Sequence, residues 1–219
     1  MSLDIERTRF NMVEQQVRPW DVIDLRVLDV LSRVRREDFV PADSRALAFA
    51  DAELPIGHGE RMMKPVLEGR LLQALAVQEG DSVLEIGTGS GFVTACLAAL
   101  ARDVTSVEIH ADLAADAEQK LVRAGVANTR VYAADALKGY APNRSFDAIA
   151  VTGAVYREPE QLRSWLAVGG RMFLVRGESP VMEAVLITRT GDSSFREDSL
   201  FETDLLYLTH AAPPKRFVL

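Results

Sequence analysis

The chain has one cysteine in 219 residues, Cys96. No intramolecular disulfide is possible, and a lone thiol cannot hold a metal cluster, so no metal site is expected. No apolar stretch reaches the roughly 18 residues that a membrane-spanning helix needs. The first nine residues are charged and lack the apolar run of a secretory signal. A cytoplasmic location without membrane attachment is therefore expected. A basic excess is missing too: Lys and Arg number 25 against 32 Asp and Glu, a formal charge of −7. Phosphate neutralisation dominates duplex binding, so this balance argues against nucleic acid as the substrate. Arg33, Arg35 and Arg36 form a small basic patch, and short charge runs of that kind are normally solvated helix faces. Internal repeats and low-complexity tracts are absent as well.

What is present is an ordinary globular composition, 48% hydrophobic and 26% charged. The length suits one α/β domain with an added segment. The first fifty residues read as helical. Ile5, Phe10, Met12, Val13 and Val17 share one helix face until Pro19 breaks it. Residues 22–34 give a second helix, opened by Asp21 as N-cap. These helices are the natural lid over a ligand and a source of substrate or dimer contacts; monomer and homodimer both fit. Trp20 reads equally well as an exposed anchor and as core. Residues 51–64, with Pro55, Gly57 and Gly59, lack periodicity and read as a loop. A long loop in a compact domain tends to be functional. Pro65 starts a helix to about residue 76.

From Asp81 onward strands and helices alternate. Strands are predicted at residues 82–86, 104–109, 129–133, 146–151 and 170–175, with helices at 92–101, 111–124 and 158–166. That alternation implies a mostly parallel sheet covered on both faces. Residues 181–190 and 195–208 are two further strand-like runs with no helix between them. They read as a C-terminal antiparallel hairpin on the parallel sheet. The expected organisation is one compact unit. Residues 1–80 supply N-terminal helices and a substrate or lid loop, and residues 81–219 bind the cofactor.

The strand at 82–86 runs into Glu85-Ile86-Gly87-Thr88-Gly89-Ser90-Gly91, with a helix behind it. Glycines there permit positive φ and let backbone approach a ligand. Ligands in such sheets sit beyond the carboxyl ends of the strands. Glu108 ends the next strand about twenty residues on, placed to accept from ribose hydroxyls. Asp135, beside Ala136, follows the third strand, where an adenine amino group would be met. The spacing is G-x-G-x-G rather than the dinucleotide G-x-G-x-x-G, and the turn opens with the carboxylate Glu85. A carboxylate repels a pyrophosphate and suits a cation. S-adenosylmethionine, with its sulfonium and ammonium and no phosphate, is preferred over a nicotinamide cofactor. Candidate cofactor residues are Glu85, Gly87, Thr88, Gly89, Ser90, Gly91, Glu108, Ile109, Asp135, Ala136 and Thr152. Thr152 reads equally well as a strand-end cap. Cys96, in an alanine-rich helix, reads as a small buried residue, and His110 as structural.

Val83-Leu84-Glu85-Ile86-Gly87-Thr88-Gly89-Ser90-Gly91 resembles the first motif of the protein-L-isoaspartate O-methyltransferases. Further stretches resemble the same family in the same order. They are Arg36-Glu37-Asp38-Phe39-Val40-Pro41, Leu54-Pro55-Ile56-Gly57-His58-Gly59, Ser106-Val107-Glu108-Ile109, Phe146-Asp147-Ala148-Ile149-Ala150-Val151-Thr152-Gly153-Ala154 and Leu166-Ala167-Val168-Gly169-Gly170-Arg171. The resemblance implies a Rossmann-like class I methyltransferase with a seven-stranded sheet. It implies protein repair by methylation of the α-carboxyl of an isoaspartyl protein or peptide, or of a related small carboxylate. A carboxylate is ionised at neutral pH and needs no general base. The protein's task is then alignment and exclusion of water.

One stretch departs from the family. Where it has a Thr-Ile-Ser-x-Pro type sequence, with serine at the reacting carboxylate, this chain reads Arg61-Met62-Met63-Lys64-Pro65. Met63 takes the serine position and cannot donate a hydrogen bond. Either Arg61 or Lys64 supplies a cationic donor, or the acceptor has changed, or the site binds cofactor without catalysis. His58, between two glycines, is placed to touch substrate or to close the loop.

Overall fold

The computed structural model of the chain describes residues 4–214. The outermost residues of the two expected segments, 1–3 and 215–219, lie outside the described residues. Seven strands form one sheet in the order β5-β4-β3-β6-β7-β8-β9. They are β3 (Ser82–Ile86), β4 (Asp103–Glu108), β5 (Thr129–Ala133), β6 (Phe146–Val155), β7 (Leu166–Glu178), β8 (Val181–Arg189) and β9 (Phe195–Thr203). The pairs from β5 through β7 are parallel, and β7-β8 and β8-β9 are antiparallel. The expected Rossmann-like sheet with a C-terminal antiparallel hairpin is therefore present. Helix α4 (Phe92–Ala98) follows β3, α5 (Ala111–Arg123) follows β4 and α6 (Glu160–Ser164) precedes β7. Central β3 is buried along its whole length, as a parallel strand covered on both faces must be. The order reverses between β3 and β4 on one side and β6 on the other, so a crevice opens at the end of β3.

The N-terminal segment shares this core. Helix α1 (Ile5–Asn11), capped by the Asp4 side chain, widens into a π-helical stretch, Met12–Val17. Its buried Met12, Val13 and Val17 join one apolar cluster with Leu31, Leu71, Val83, Phe92 and Phe173. Helix α3 (Pro65–Leu75) approaches it closely at Gly69, where a Cβ would lie 2.7 Å from Val17. These helices pack on α3 and none of residues 5–34 lines either cavity described below. Their buried apolar face packs into the shared core rather than over the crevice lining. Trp20 is 59% exposed.

Four local expectations are corrected. Asp21 does not cap α2 (Leu25–Arg33). It adopts φ 61°, its carbonyl accepts from Gln73, and Asp24 caps the helix by accepting from the Arg26 amide. Arg36 leaves the basic patch: it is fully buried, bonded to both Glu68 oxygens at 3.0 and 3.1 Å and to the carbonyls of Ala48 and Met63 at 2.8 Å. A buried guanidinium must spend its donors on partners. Residues 51–64 are not a structureless loop. They contain the antiparallel pair β1 (Leu54–Gly57) and β2 (Glu60–Met62), turned by Gly57, His58 and Gly59, all at positive φ. Finally, β9 ends at Thr203 rather than residue 208. Residues 204–211 form a strap across the end of β6, held by Ala154 N–H to Leu206 at 2.8 Å and Leu208 N–H to Ala154 at 2.9 Å. Tyr207 pins the strap by donating to the Gly177 carbonyl at 2.9 Å. Among the described residues no helix is long and apolar enough to cross a membrane.

Candidate functional site: a cavity between a glycine turn, a hairpin and a strap

The chain leaves β3 through Gly87, Gly89 and Gly91, at φ 96°, 52° and 86°. At Gly87 a Cβ would stand 2.5 Å from Thr152 Oγ1. Thr152 donates to the Gly87 carbonyl at 2.5 Å, which ties the end of β6 to the turn. Under the turn lies Glu85, fully buried. Its Oε2 accepts from Thr94 and Ser106 at 2.5 Å each, and its Oε1 meets no hydrogen-bond partner among the described residues. Burial pushes the Glu85 carboxyl up to about 8; Glu108 nearby adds to the rise, and the Ser106 and Thr94 hydroxyls oppose it. Glu85 lines neither cavity, so it sits behind the turn rather than in the open site.

A cavity of about 670 Å³, open to solvent, lies beyond the turn. Gly87, Gly89, Glu108, Ile109, Asp135, Ala136 and Thr152 all line it. Glu108 accepts from the Gly89 N–H at 2.8 Å and from the His110 N–H at 3.0 Å. Each carboxylate oxygen has a second lone pair, so capacity for ligand hydroxyls remains. Asp135 is held by the Leu137 and Lys138 amides on one oxygen and by His210 Nδ1, 2.8 Å away, on the other.

A smaller cavity of about 300 Å³ continues over the turn, lined by Met62, Met63, Glu68, Thr88, Ser90 and Val93. The two share Ile56, Arg61, Gly87, Gly89 and Thr152. Gly91 lines neither; its φ serves the packing of α4, where a Cβ would lie 3.2 Å from Ala117. Arg61 is exposed, and no described residue makes a hydrogen bond or ion pair with its guanidinium. Lys64 is exposed and lines neither cavity. Met63 is 4% exposed, its carbonyl held by Arg36. His58 also lines neither cavity; it stacks on His110 and bonds Asp112. Cys96 is buried, and burial pushes its thiol well above the ordinary range.

Sequence reasoning missed the strap, Ile56 and Glu60. Strap residue Leu208 crowds two of the crevice's glycines, 3.2 Å from a Cβ at Gly87 and 2.7 Å from one at Gly153. Gly153, one residue after Thr152 in a long apolar strand, is the signal: a strand glycine often marks close backbone approach. The signal for the hairpin was Gly57-His58-Gly59, a short glycine-bearing turn after the apolar Leu54-Pro55-Ile56.

The donor set fits a cationic ligand without phosphate. Glu60, Glu108 and Asp135 line the larger cavity; among the described residues Arg61 is the one Lys or Arg in either lining, and the buried Glu85 oxygen under the turn has no partner among them. A doubly wound sheet with such a site at the switch in strand order defines a class I S-adenosylmethionine-dependent methyltransferase. The family pattern described as Protein-L-isoaspartate(D-aspartate) O-methyltransferase (PCMT) matches residues 8–212. The chain belongs to this family. It is 40% identical over 195 residues to the Protein-L-isoaspartate O-methyltransferase of Magnetococcus marinus, covering 89% of this chain and 85% of that one. It is 38% identical to Protein-L-isoaspartate O-methyltransferase 2 of Marinobacter nauticus, covering 90% of each. Its fold is similar to the crystal structure of a Plasmodium falciparum homologue in complex with S-adenosyl-L-homocysteine. The TM-score is 0.80 at 20% identity, over 91% of this chain and 97% of that one.

Proposed function

We propose that the chain methylates a carboxylate oxygen, with an isoaspartyl protein or peptide as acceptor, and that Arg61 receives that carboxylate. The observation that carries this reading is the free guanidinium of Arg61 at the junction of the two cavities. Of the two cations offered by the sequence, Arg61 lines the site and Lys64 does not. A fork of donors suits a carboxylate better than one hydroxyl does, so the loss of serine at Met63 is compensated two residues upstream. S-adenosylmethionine, when bound, supplies a methyl group already activated by its sulfonium. Glu108 accepts from ribose hydroxyls and Asp135 from the adenine amino group. The Thr88 and Ser90 hydroxyls and the backbone of Gly87 and Gly89 face the amino-acid end. Ile56, Leu208 and the buried Met62 and Met63 exclude water from the reacting centre. A carboxylate acceptor is already ionised at neutral pH, so no proton needs to move before transfer.

The test is transfer of labelled methyl to an isoaspartyl peptide, with the matching aspartyl peptide as control. Label appearing as base-labile ester on the isoaspartyl peptide alone supports the reading. One observation favours a second reading, a changed acceptor: the thioethers of Met62 and Met63 give the smaller cavity an apolar, adaptable wall. Binding of S-adenosylhomocysteine without transfer to the isoaspartyl peptide would select that reading. Transfer regained in Met63→Ser would then place the change at that residue.

A further inference from the structure

We propose that His58, His110 and Asp112 form a latch that holds the β1–β2 hairpin shut over the cofactor cavity and sets the rate of cofactor exchange. The inference rests on the cavity being the cofactor site. The hairpin roofs that cavity: it brings Arg61 to the mouth and Ile56 to within 3.1 Å of a Cβ built at Gly89. Yet β1 and β2 pair only with each other, as a two-stranded sheet of four and three residues. A hairpin that small is not stable by itself. Its base is anchored by buried Leu54 and Met62; its tip is held elsewhere.

What holds the tip is the start of α5. His58 Nε2 lies 2.8 Å from Asp112 Oδ2. The His58 ring stacks on His110 with centroids 4.1 Å apart and 11° between planes. His110 is the N-cap residue of α5, and its amide donates to Glu108, the candidate ribose ligand. The post that the tip grips is thus fixed to the cavity floor. A weaker hold runs through Glu60, which accepts from Thr209 of the strap at 3.1 Å and faces His110 Nε2 at 3.6 Å. That His110 nitrogen is buried and has no hydrogen-bond partner. His58, His110 and Asp112 line neither cavity. They act on the cofactor through the hairpin alone, as positioning residues.

A latch has a kinetic signature that a ligand contact and a purely structural residue both lack. Loosening it raises association and dissociation together and leaves Kd nearly constant. The experiment measures both rate constants for S-adenosylhomocysteine by rapid mixing with the full chain, in wild type, His58→Gly and Asp112→Ala. Glycine suits position 58, whose φ is 54°. Each variant is expected to raise both rates about fivefold, the scale of one exposed charge-assisted bond. The double variant is expected to add little to His58→Gly, because Asp112→Ala breaks only a contact that His58→Gly already removes. Amide exchange across residues 54–62 without ligand is expected to quicken in the same variants. Faster dissociation with unchanged association would overturn the latch, as would unchanged rates with a lowered melting temperature. Absence of binding by wild type in calorimetry would instead remove the cofactor reading itself.

Discussion

The floor and the roof of the cavity are built to different rules. The floor, Glu85 to Gly91, is backbone held by backbone and by short hydroxyl bonds: Thr152 to the Gly87 carbonyl, Gly89 to Glu108, and Thr94 and Ser106 to Glu85. A methyl group has no room at Gly87. The roof is a small hairpin whose side chains, Ile56, Arg61, Met62 and Met63, form its working surface. The floor fits the donor molecule, which is the same in every turnover, and its geometry admits little substitution. The roof faces the acceptor, and a side chain can change there without moving the backbone. Arg61 and Met63, where the sequence is expected to depart from the family pattern, both fall on the roof.

The largest expected effect concerns what keeps the roof in place. Arg36 binds Glu68 and the Met63 carbonyl while fully buried. Arg36→Met leaves Glu68 unpaired in the core, where burial already pushes its carboxyl toward the protonated form. The expected loss is about 3–5 kcal/mol, read by urea denaturation. Arg36→Met with Glu68→Leu is expected to recover most of it, since replacing both members of a buried pair is often near neutral. If the double variant regains stability and still fails to bind acceptor, the pair's role is to place Met63 rather than to hold the fold.

The next effect breaks the floor. Gly87→Ala forces a side chain into φ 96° and against Thr152. Strain of about 1–3 kcal/mol is expected. It should appear as cofactor affinity falling about tenfold to a hundredfold in calorimetry. Adding Thr152→Ala relieves the contact but not the φ, so recovery is expected to be partial. Arg61→Gln tests the roof at smaller scale. Losing one charge-assisted contact to a carboxylate predicts a fall of about tenfold or more in kcat/KM for the acceptor. Cofactor affinity is expected to hold. Weakened cofactor binding with normal acceptor KM would assign Arg61 to the donor's own carboxylate.

Legibility in the sequence followed the same division. The floor announced itself because it is local: β3, the glycine spacing and Glu108 lie within 27 residues, and each has a rule tying residue type to backbone shape. Glu85 shows the limit of that reading. Its acidity was plain, but its burial behind the turn depends on Thr94 and Ser106 folding onto it. The roof was less legible because its contacts are distant in sequence. His58 meets a partner 54 residues away, and Glu60 meets one 149 residues away. Arg36 looked like surface because it sits between Arg35 and Glu37, and charge runs usually are; nothing nearby says that Glu68 will cover it. The strap was hidden because Leu205 to Leu208 read as a continuation of the strand-like run of β9, across the polar Glu202-Thr203-Asp204.

The smallest expected effect is a slope, and it belongs to the floor. The Glu85 carboxyl is pushed up to about 8 by burial, from an ordinary value of 4.5. A carboxyl raised in this way binds its proton more tightly folded than unfolded. Between those two values the native state holds more protons, so stability falls as pH rises from about 4.5 to about 8. Glu85→Gln removes the titration and keeps the shape. At or below about pH 4.5, where Glu85 holds its proton in the folded state and largely holds it in the unfolded one, wild type and variant are expected to melt within a few degrees of each other. As pH rises from about 4.5 to about 8 the wild type is expected to lose stability that Glu85→Gln retains, and above pH 8 the gap is expected to stay constant. A cationic ligand acts in the opposite sense on a carboxyl held beneath it, favouring the ionised form. S-adenosylmethionine is therefore expected to release protons on binding to wild type, read as a dependence of calorimetric heat on buffer ionisation enthalpy. Glu85→Gln should lose that dependence. An equal buffer dependence in both proteins would move the proton release to another group and leave Glu85 as a purely structural part of the floor.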